Sequence, residues 1–194
     1  MEKRKYIEEY LKETAEIAQK IDREEIEKIL DILLKVKKEG GRVFFLGVGG
    51  GAGTGSHAAN DFNKIAKIPT ICLTDNVSLL TALTNDEGWE VIFKRQLEMQ
   101  KLNSKDCLFI YSVGGGRENA SKNLVLAIDF AKKVGAKIVG VVGKKTGASA
   151  KEANACLIVP PVNESKITPH TEDFQLIIDH LLSNLIKELE KEYE

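Results

Sequence analysis

The chain has 194 residues, with 28 basic and 29 acidic side chains interspersed along it and a formal net charge of -1. That length can bury a core without disulfides or a structural metal, so one domain over 1–194 is expected. The even charge leaves no cationic face for nucleic acid or an anionic membrane, and neither is expected as a partner.

The first segment, MEKRKYIEEYLKE, is charged and has no apolar leader core. No later stretch approaches the length of a membrane span, so a cytoplasmic protein is expected. The apolar spacing predicts two amphipathic helices, roughly 3–19 and 23–39. Asp22 with Glu25 forms a capping-box pattern before the second, and Gly40-Gly41 stops it. These helices, 1–40 with their ends, precede a series in which short apolar runs alternate with helical patterns.

The runs are 42–48, 70–74, 106–113, 137–143 and 155–161. They are apolar throughout rather than alternating, the mark of parallel strands covered on both faces. The expected fold is therefore α/β, a three-layer αβα sandwich around a five-stranded parallel sheet. Cys72, Cys107 and Cys156 each fall within a run and read as buried, unreactive thiols. In such a sheet, ligands sit beyond the carboxyl ends of the strands, which makes the following loops informative.

The first strand enters GVGGGAGTGS at 47–56, where Gly49, Gly50 and Gly51 can bring bare backbone N–H groups to an anionic or polyhydroxyl ligand. The helix SHAANDFNKIAK is read as opening from that loop. Its His57 and Asp61 are four residues apart and share a face, a spacing suited to a divalent metal or to divided proton transfer. A solvent-facing structural pair is the plainer alternative. Gly47, Gly49 and Ala52 also satisfy a G-x-G-x-x-A dinucleotide fingerprint, with Asp75 as its acid, but that acid lies later than the usual offset.

After the second run, TDNVSLLTALTNDEGWE ends in a polar helix stop in which Asp86 could bind hydroxyls or merely cap. The third strand ends at Ser112 and passes into VGGGRENASKN. Gly114 and Gly115, the hydroxyls of Ser112 and Ser121, and the cations Arg117 and Lys122 there suit a phosphate monoester before a helix amino terminus.

The last segment, about 168–194, carries Phe174, Ile177, Ile178, Leu181, Leu182, Leu185, Ile186 and Leu189 on one helical stripe, to pack on the domain or on a second subunit. Glu172 and His180 share a face of it two turns apart, about 12 Å by helical rise, so a bend near Pro169 would be needed for both to meet one ion. His180 among its leucines also reads as a core histidine, and His170 as a cap or surface residue in the turn before the helix.

Taken together, the first glycine loop with His57 and Asp61, TALTNDEGWE, the loop from Ser112 and TPHTEDFQLIIDHLL resemble the sugar isomerase (SIS) domain family, and within it the phosphoheptose isomerases. The resemblance covers nearly the whole chain and implies a flavodoxin-like SIS fold. It implies an aldose-ketose isomerase acting on sedoheptulose 7-phosphate, with Asp61 and His180 as catalytic groups. It further implies a divalent metal, zinc first, on His57, Asp61, Glu172 and His180. Asp86 would contact the sugar, Ser112 and Ser121 the phosphate, and the enzyme would be a homotetramer with sites near subunit boundaries.

Several positions depart from the family pattern. Asp61 stands for a glutamate and Glu172 for a glutamine, Val48 replaces a substrate-binding asparagine and Pro169 a site aspartate. The loop after Ser112 is longer by about four residues. A phosphosugar-sensing module is the non-enzymatic alternative, since it would have no need of the four-residue set.

Overall fold

A computed structural model describes residues 2–191. Helices α1 (Lys3–Lys20) and α2 (Arg23–Lys38) lead into β1 (Val43–Gly47), α3 (Gly50–Lys64) and β2 (Thr70–Cys72). Helices α4 (Val77–Asp86) and α5 (Ile92–Met99) follow, then β3 (Cys107–Ser112), α6 (Lys122–Val134), β4 (Lys137–Val142), α7 (Ala148–Glu152) and β5 (Ala155–Ile158). A 3-10 turn at Glu164–Lys166 runs directly into α8 (Ile167–Lys191). All five expected strands form one sheet in the order β2-β1-β3-β4-β5, with every neighbouring pair parallel.

The continuous apolar runs are explained by two cores. On one face, Val43, Phe45, Phe109, Tyr111 and Val141 pack with α2, α3 and α8. On the other, Phe44, Leu46, Leu108, Ile110 and Ile138 pack with α4, α5 and α6. Alternate residues of the central strands β1, β3 and β4 thus serve opposite cores, so neither face of these strands can be polar. The chain order reverses around β1, which places the topological switch point, and hence the ligand crevice, between the carboxyl ends of β1 and β3.

Polar anchors secure the margins. Asp22 accepts from the Glu25 N–H at 3.1 Å as the capping pattern predicts. The Glu25 carboxylate does not complete the box. It accepts instead from Cys156 N–H at 2.7 Å and ties α2 to the edge strand β5. At the opposite edge, the Asn63 carboxamide both donates to Thr70 O and accepts from Thr70 N–H, taking the place of a neighbouring strand. Asp106, which is buried, accepts from Arg42 N, Nε and Nη2 and from Asn103 N and Nδ2. Cys72 and Cys107 are buried and Cys156 is half-buried, and burial raises all three thiols.

Two local expectations are corrected. Helix α3 begins at Gly50 rather than near Ser56, so the glycines are helical instead of forming a long loop. Close packing is the reason: a Cβ on Gly51 would stand 2.5 Å from the Tyr111 carbonyl oxygen, so only glycine lets this helix lie against β3. Gly49, at φ 63°, makes the turn from β1 into the helix. His170 is buried in the first turn of α8 rather than on the surface. Its Nε2 lies 2.9 Å from Glu13 Oε2, and its ring lies tilted against that of Tyr10, with centroids 4.4 Å apart.

Candidate active site

Helices α3 and α8 lie against each other on the same face of the sheet. The i,i+4 spacing of His57 and Asp61 survives the earlier helix start and turns both toward α8. Their closest approach is 3.8 Å from Nδ1 to Oδ2. From α8, His180 brings Nε2 to 3.6 Å from the same Asp61 oxygen, and the two imidazole rings are 5.0 Å apart and nearly perpendicular. The side chain of His180 is 51% exposed, so it is not a core histidine.

The fourth member is Asp179. Its Oδ2 lies 3.0 Å from His57 Nδ1, and one donor atom from each of His57, Asp61, Asp179 and His180 falls within 4.8 Å of the others. Glu172 is not in this group. Helix α8 runs without a break through Pro169, so Glu172 stays two turns from His180, and its carboxyl rests where a Cβ on Gly50 would be. There it faces the first turn of α3, whose partial positive charge favours a carboxylate. Of the first glycine segment, Gly50 therefore borders Glu172 and Gly51 borders β3, while Gly49 makes the turn before them. Asp179 escaped the sequence reading because adjacent helical residues point about 100° apart, which made Asp179 and His180 unlikely companions by spacing alone. Its only signal was a carboxylate inside the apolar run IIDHLL.

The electrostatics suit a cation. Asp61 is 6% and Asp179 0% exposed. Burial, reinforced by the charge of Asp61 and opposed by the His57 hydrogen bond, pushes the Asp179 carboxyl up to about 6. Its Oδ1 is buried with no hydrogen-bond partner among the described residues. Buried Asp106 has five protein donors, whereas Asp61 and Asp179 together have the Asn60 carboxamide, 2.9 Å from Asp61 Oδ1, and the neighbouring imidazoles. The donor set of two imidazole nitrogens and carboxylate oxygens fits a divalent metal, which would offset the concentrated negative charge.

The loop after β3 is held firmly rather than left loose. Ser112 Oγ accepts from Gly115 N–H at 3.0 Å, and the Gly115 carbonyl accepts from both N–H and Oγ of Ser149 at 2.8 and 2.9 Å. Gly115, Gly116 and Ser121 all have positive φ, and Ser121, at 56°, is the N-cap of α6 without using its hydroxyl as a cap. Arg117 and Ala120 exchange backbone hydrogen bonds that close a tight turn. Gly114 and Arg117 thus lie on the rim between the β3 end and α6. Lys122 is engaged by Glu90 at 3.3 Å and Glu118 at 3.7 Å. Asp86 is the last residue of α4, a helix of the opposite face, and does not join the α3/α8 group within this chain.

The SIS domain family model matches residues 5–143. The chain belongs to the SIS domain family. Its full-length relatives fall in the phosphoheptose isomerase group. The phosphoheptose isomerase of Sulfurimonas denitrificans is 32% identical over 195 aligned positions, covering 95% of each chain. That of Clostridium acetobutylicum is 31% identical, covering 94% of this chain and 93% of its own. The lincomycin biosynthesis protein LmbN of Streptomyces lincolnensis is 36% identical over 151 residues, and the chain spans about half, 54%, of that relative's length.

Among solved structures, the phosphoheptose isomerase of Francisella tularensis superposes with a TM-score of 0.83 at 23% identity, covering 97% of this chain and 100% of that one. The enzyme from Neisseria gonorrhoeae gives 0.83 at 21%, covering 95% and 98%. These structures establish that the SIS fold spans nearly the whole chain. No helix among the described residues is long and apolar enough to cross a membrane.

Proposed function

We propose that this SIS protein is an aldose-ketose isomerase that converts sedoheptulose 7-phosphate to D-glycero-D-manno-heptose 7-phosphate through an enediol. The observation that carries the proposal is the meeting of Asp61 with His57 and His180 across α3 and α8. A proton shuttle between adjacent carbons needs one base of restricted mobility, and Asp61 is nearly buried and flanked by two imidazoles.

In the forward direction Asp61 takes a proton from C1 while His180 donates one to the C2 oxygen, which yields the enediol. Asp61 then returns its proton to C2 as His180 removes the one on the C1 oxygen, leaving the aldehyde. Both residues end in their starting states, so the reaction needs no external oxidant or reductant. The phosphate is proposed to rest at the amino end of α6, against Ser112, Gly114, Gly115 and Ser121, with Arg117 at the rim. Glu172 and the backbone of Gly49, Gly50 and Gly51 would border the sugar, with Asp86 supplied to it from a neighbouring subunit.

Zinc is proposed as the ion, held by His57, Asp61 and His180; Glu172, which the family pattern would add, lies at the first turn of α3 instead. When bound, a divalent ion supplies polarisation of the carbonyl and hydroxyl oxygens. The whole of 1–194 is proposed to act as one domain in a cytoplasmic homotetramer. Support for assembly comes from Ile177, Leu181 and Leu185, the outer half of the α8 stripe, which remain exposed together with Ile7 and Leu11 of α1.

The decisive experiment is incubation with sedoheptulose 7-phosphate and zinc or manganese, followed by identification of the product. A manno-heptose 7-phosphate is expected, with Asp61→Asn at least 100-fold slower, as loss of a general base predicts (about 10²–10⁴). No conversion of this or any other ketose phosphate would leave the sensing module as the correct reading, and normal turnover by Asp61→Asn would remove Asp61 as the base.

A further inference from the structure

Asp179 is enclosed more completely than a group in contact with substrate needs to be. It is fully buried, while its partner His57 keeps a side chain that is 45% exposed. Oδ2 reaches His57 Nδ1 at 3.0 Å, well inside the 3.8 Å that separates the same nitrogen from Asp61. Tyr111 is also fully buried, and its hydroxyl, like Asp179 Oδ1, has no hydrogen-bond partner among the described residues. The Tyr111 phenol lies near enough for the carboxylate charge to act on it. The carboxylate therefore has one hydrogen-bonding neighbour, an imidazole nitrogen, and no exposure to solvent.

A neutral imidazole carries one N–H, and a carboxylate that accepts it decides which nitrogen is left with the lone pair. We propose that Asp179 is a positioning residue: by accepting the Nδ1–H of His57 it fixes the tautomer in which Nε2 is the free acceptor, ready for a metal ion or a substrate proton. The spacing used to find His57 and Asp61 does not call for this residue, and it replaces an apolar position of the run IIDHLL with a buried charge. A charge so placed has a cost unless another group depends on it. His57 is the only side chain that hydrogen-bonds to it among the described residues. The inference rests on the isomerase reading only for its effect on turnover, since the tautomer exists with or without a reaction.

The test is long-range nitrogen-proton NMR of the His57 ring in metal-free protein, above the usual imidazole titration range, with His57→Gln used to assign the signal. Wild-type protein should show a protonated Nδ1 and a bare Nε2. Asp179→Asn presents an amide that can donate to Nδ1, and should shift the ring toward the opposite tautomer. Zinc affinity, measured by competition with a chromophoric chelator, should fall about 10- to 100-fold in that variant, the usual effect of losing such a partner.

Tyr111→Phe, which keeps Asp179, should retain the wild-type tautomer. A bare Nδ1 in the wild type overturns the inference even if Asp179→Asn does not fold. So does a zinc-induced shift at Nδ1 rather than Nε2, which would make Asp179 and Nδ1 direct ligands. The expected tautomer in a protein that isomerises nothing would uphold the positioning role and refute the isomerase reading, so the two can fail separately.

Discussion

Gly51 and Gly53 lie two residues apart in α3 and should respond oppositely to alanine. A Cβ on Gly51 would stand 2.5 Å from the Tyr111 carbonyl oxygen and 3.1 Å from its carbon, atoms held in the central strand, whereas a Cβ on Gly53 meets nothing within 4 Å. Overpacking of this kind costs about 1–3 kcal/mol. Where helical glycine is replaced without a clash, alanine gains about 0.8–1.0 kcal/mol of helix propensity. Gly53→Ala should therefore be stabilising by up to ~1 kcal/mol and Gly51→Ala destabilising by up to ~2 after the same gain is counted, a gap of about 1–3 kcal/mol.

For a chain of this size that gap is about 2–12 °C in Tm. Thermal or urea unfolding would measure it, at one fixed protein concentration because assembly also shifts the midpoint. Gly51→Ala should also move α3, and with it His57 and Asp61, away from the Ser112 loop. A displacement near 1 Å would lower kcat/KM by about 100-fold. Equal stability of the two variants would refute the claim that the glycine run serves close packing of α3 on β3.

Two further outcomes follow from the junction of α1 with α8 and from the loop before α6. Glu13 receives hydrogen bonds from Asn163, His170 and Lys166, which hold its carboxyl down at about 2. Because the folded value is depressed, its contribution is complete above the usual carboxylate range and is lost as pH falls toward 2. Glu13→Gln should flatten the acid side of a stability-versus-pH profile, and an unchanged acid limb would show that these bonds add nothing. Ser121 sits in the left-handed region at φ 56°, a strain of about 1–2 kcal/mol that glycine avoids. Ser121→Gly should raise the unfolding midpoint and raise KM for a phosphosugar without a matching fall in kcat. A lowered midpoint would mean that the serine side chain makes a structural contact that outweighs the strain.

Length, apolar runs and punctuation were enough to determine the architecture. Five uninterrupted apolar runs separated by helical patterns admit little but a parallel sheet covered on both faces, because no polar alternation was left to meet solvent. The His57/Asp61 pair was equally legible, since four residues on a helix fix a shared face whether the helix starts at Gly50 or at Ser56. The boundary itself was not, because a glycine chosen for close approach to another strand looks, along the chain, like one chosen for a turn.

The group that completes the site was decided by tertiary structure alone. Eight residues on a helix keep Glu172 and His180 on one face but about 12 Å apart, and only the position of α3 settles which part of α8 faces His57 and Asp61. That position selects Asp179 and His180, leaves Glu172 at the first turn of α3, and puts Asp86 on the far side of the sheet. Spacing within one element is set by local geometry and can be read from a sequence. Proximity between α3 and α8, which are more than 100 residues apart, is set by how α3 packs on β1 and β3 and α8 on β3 and β4, and no local rule contains it.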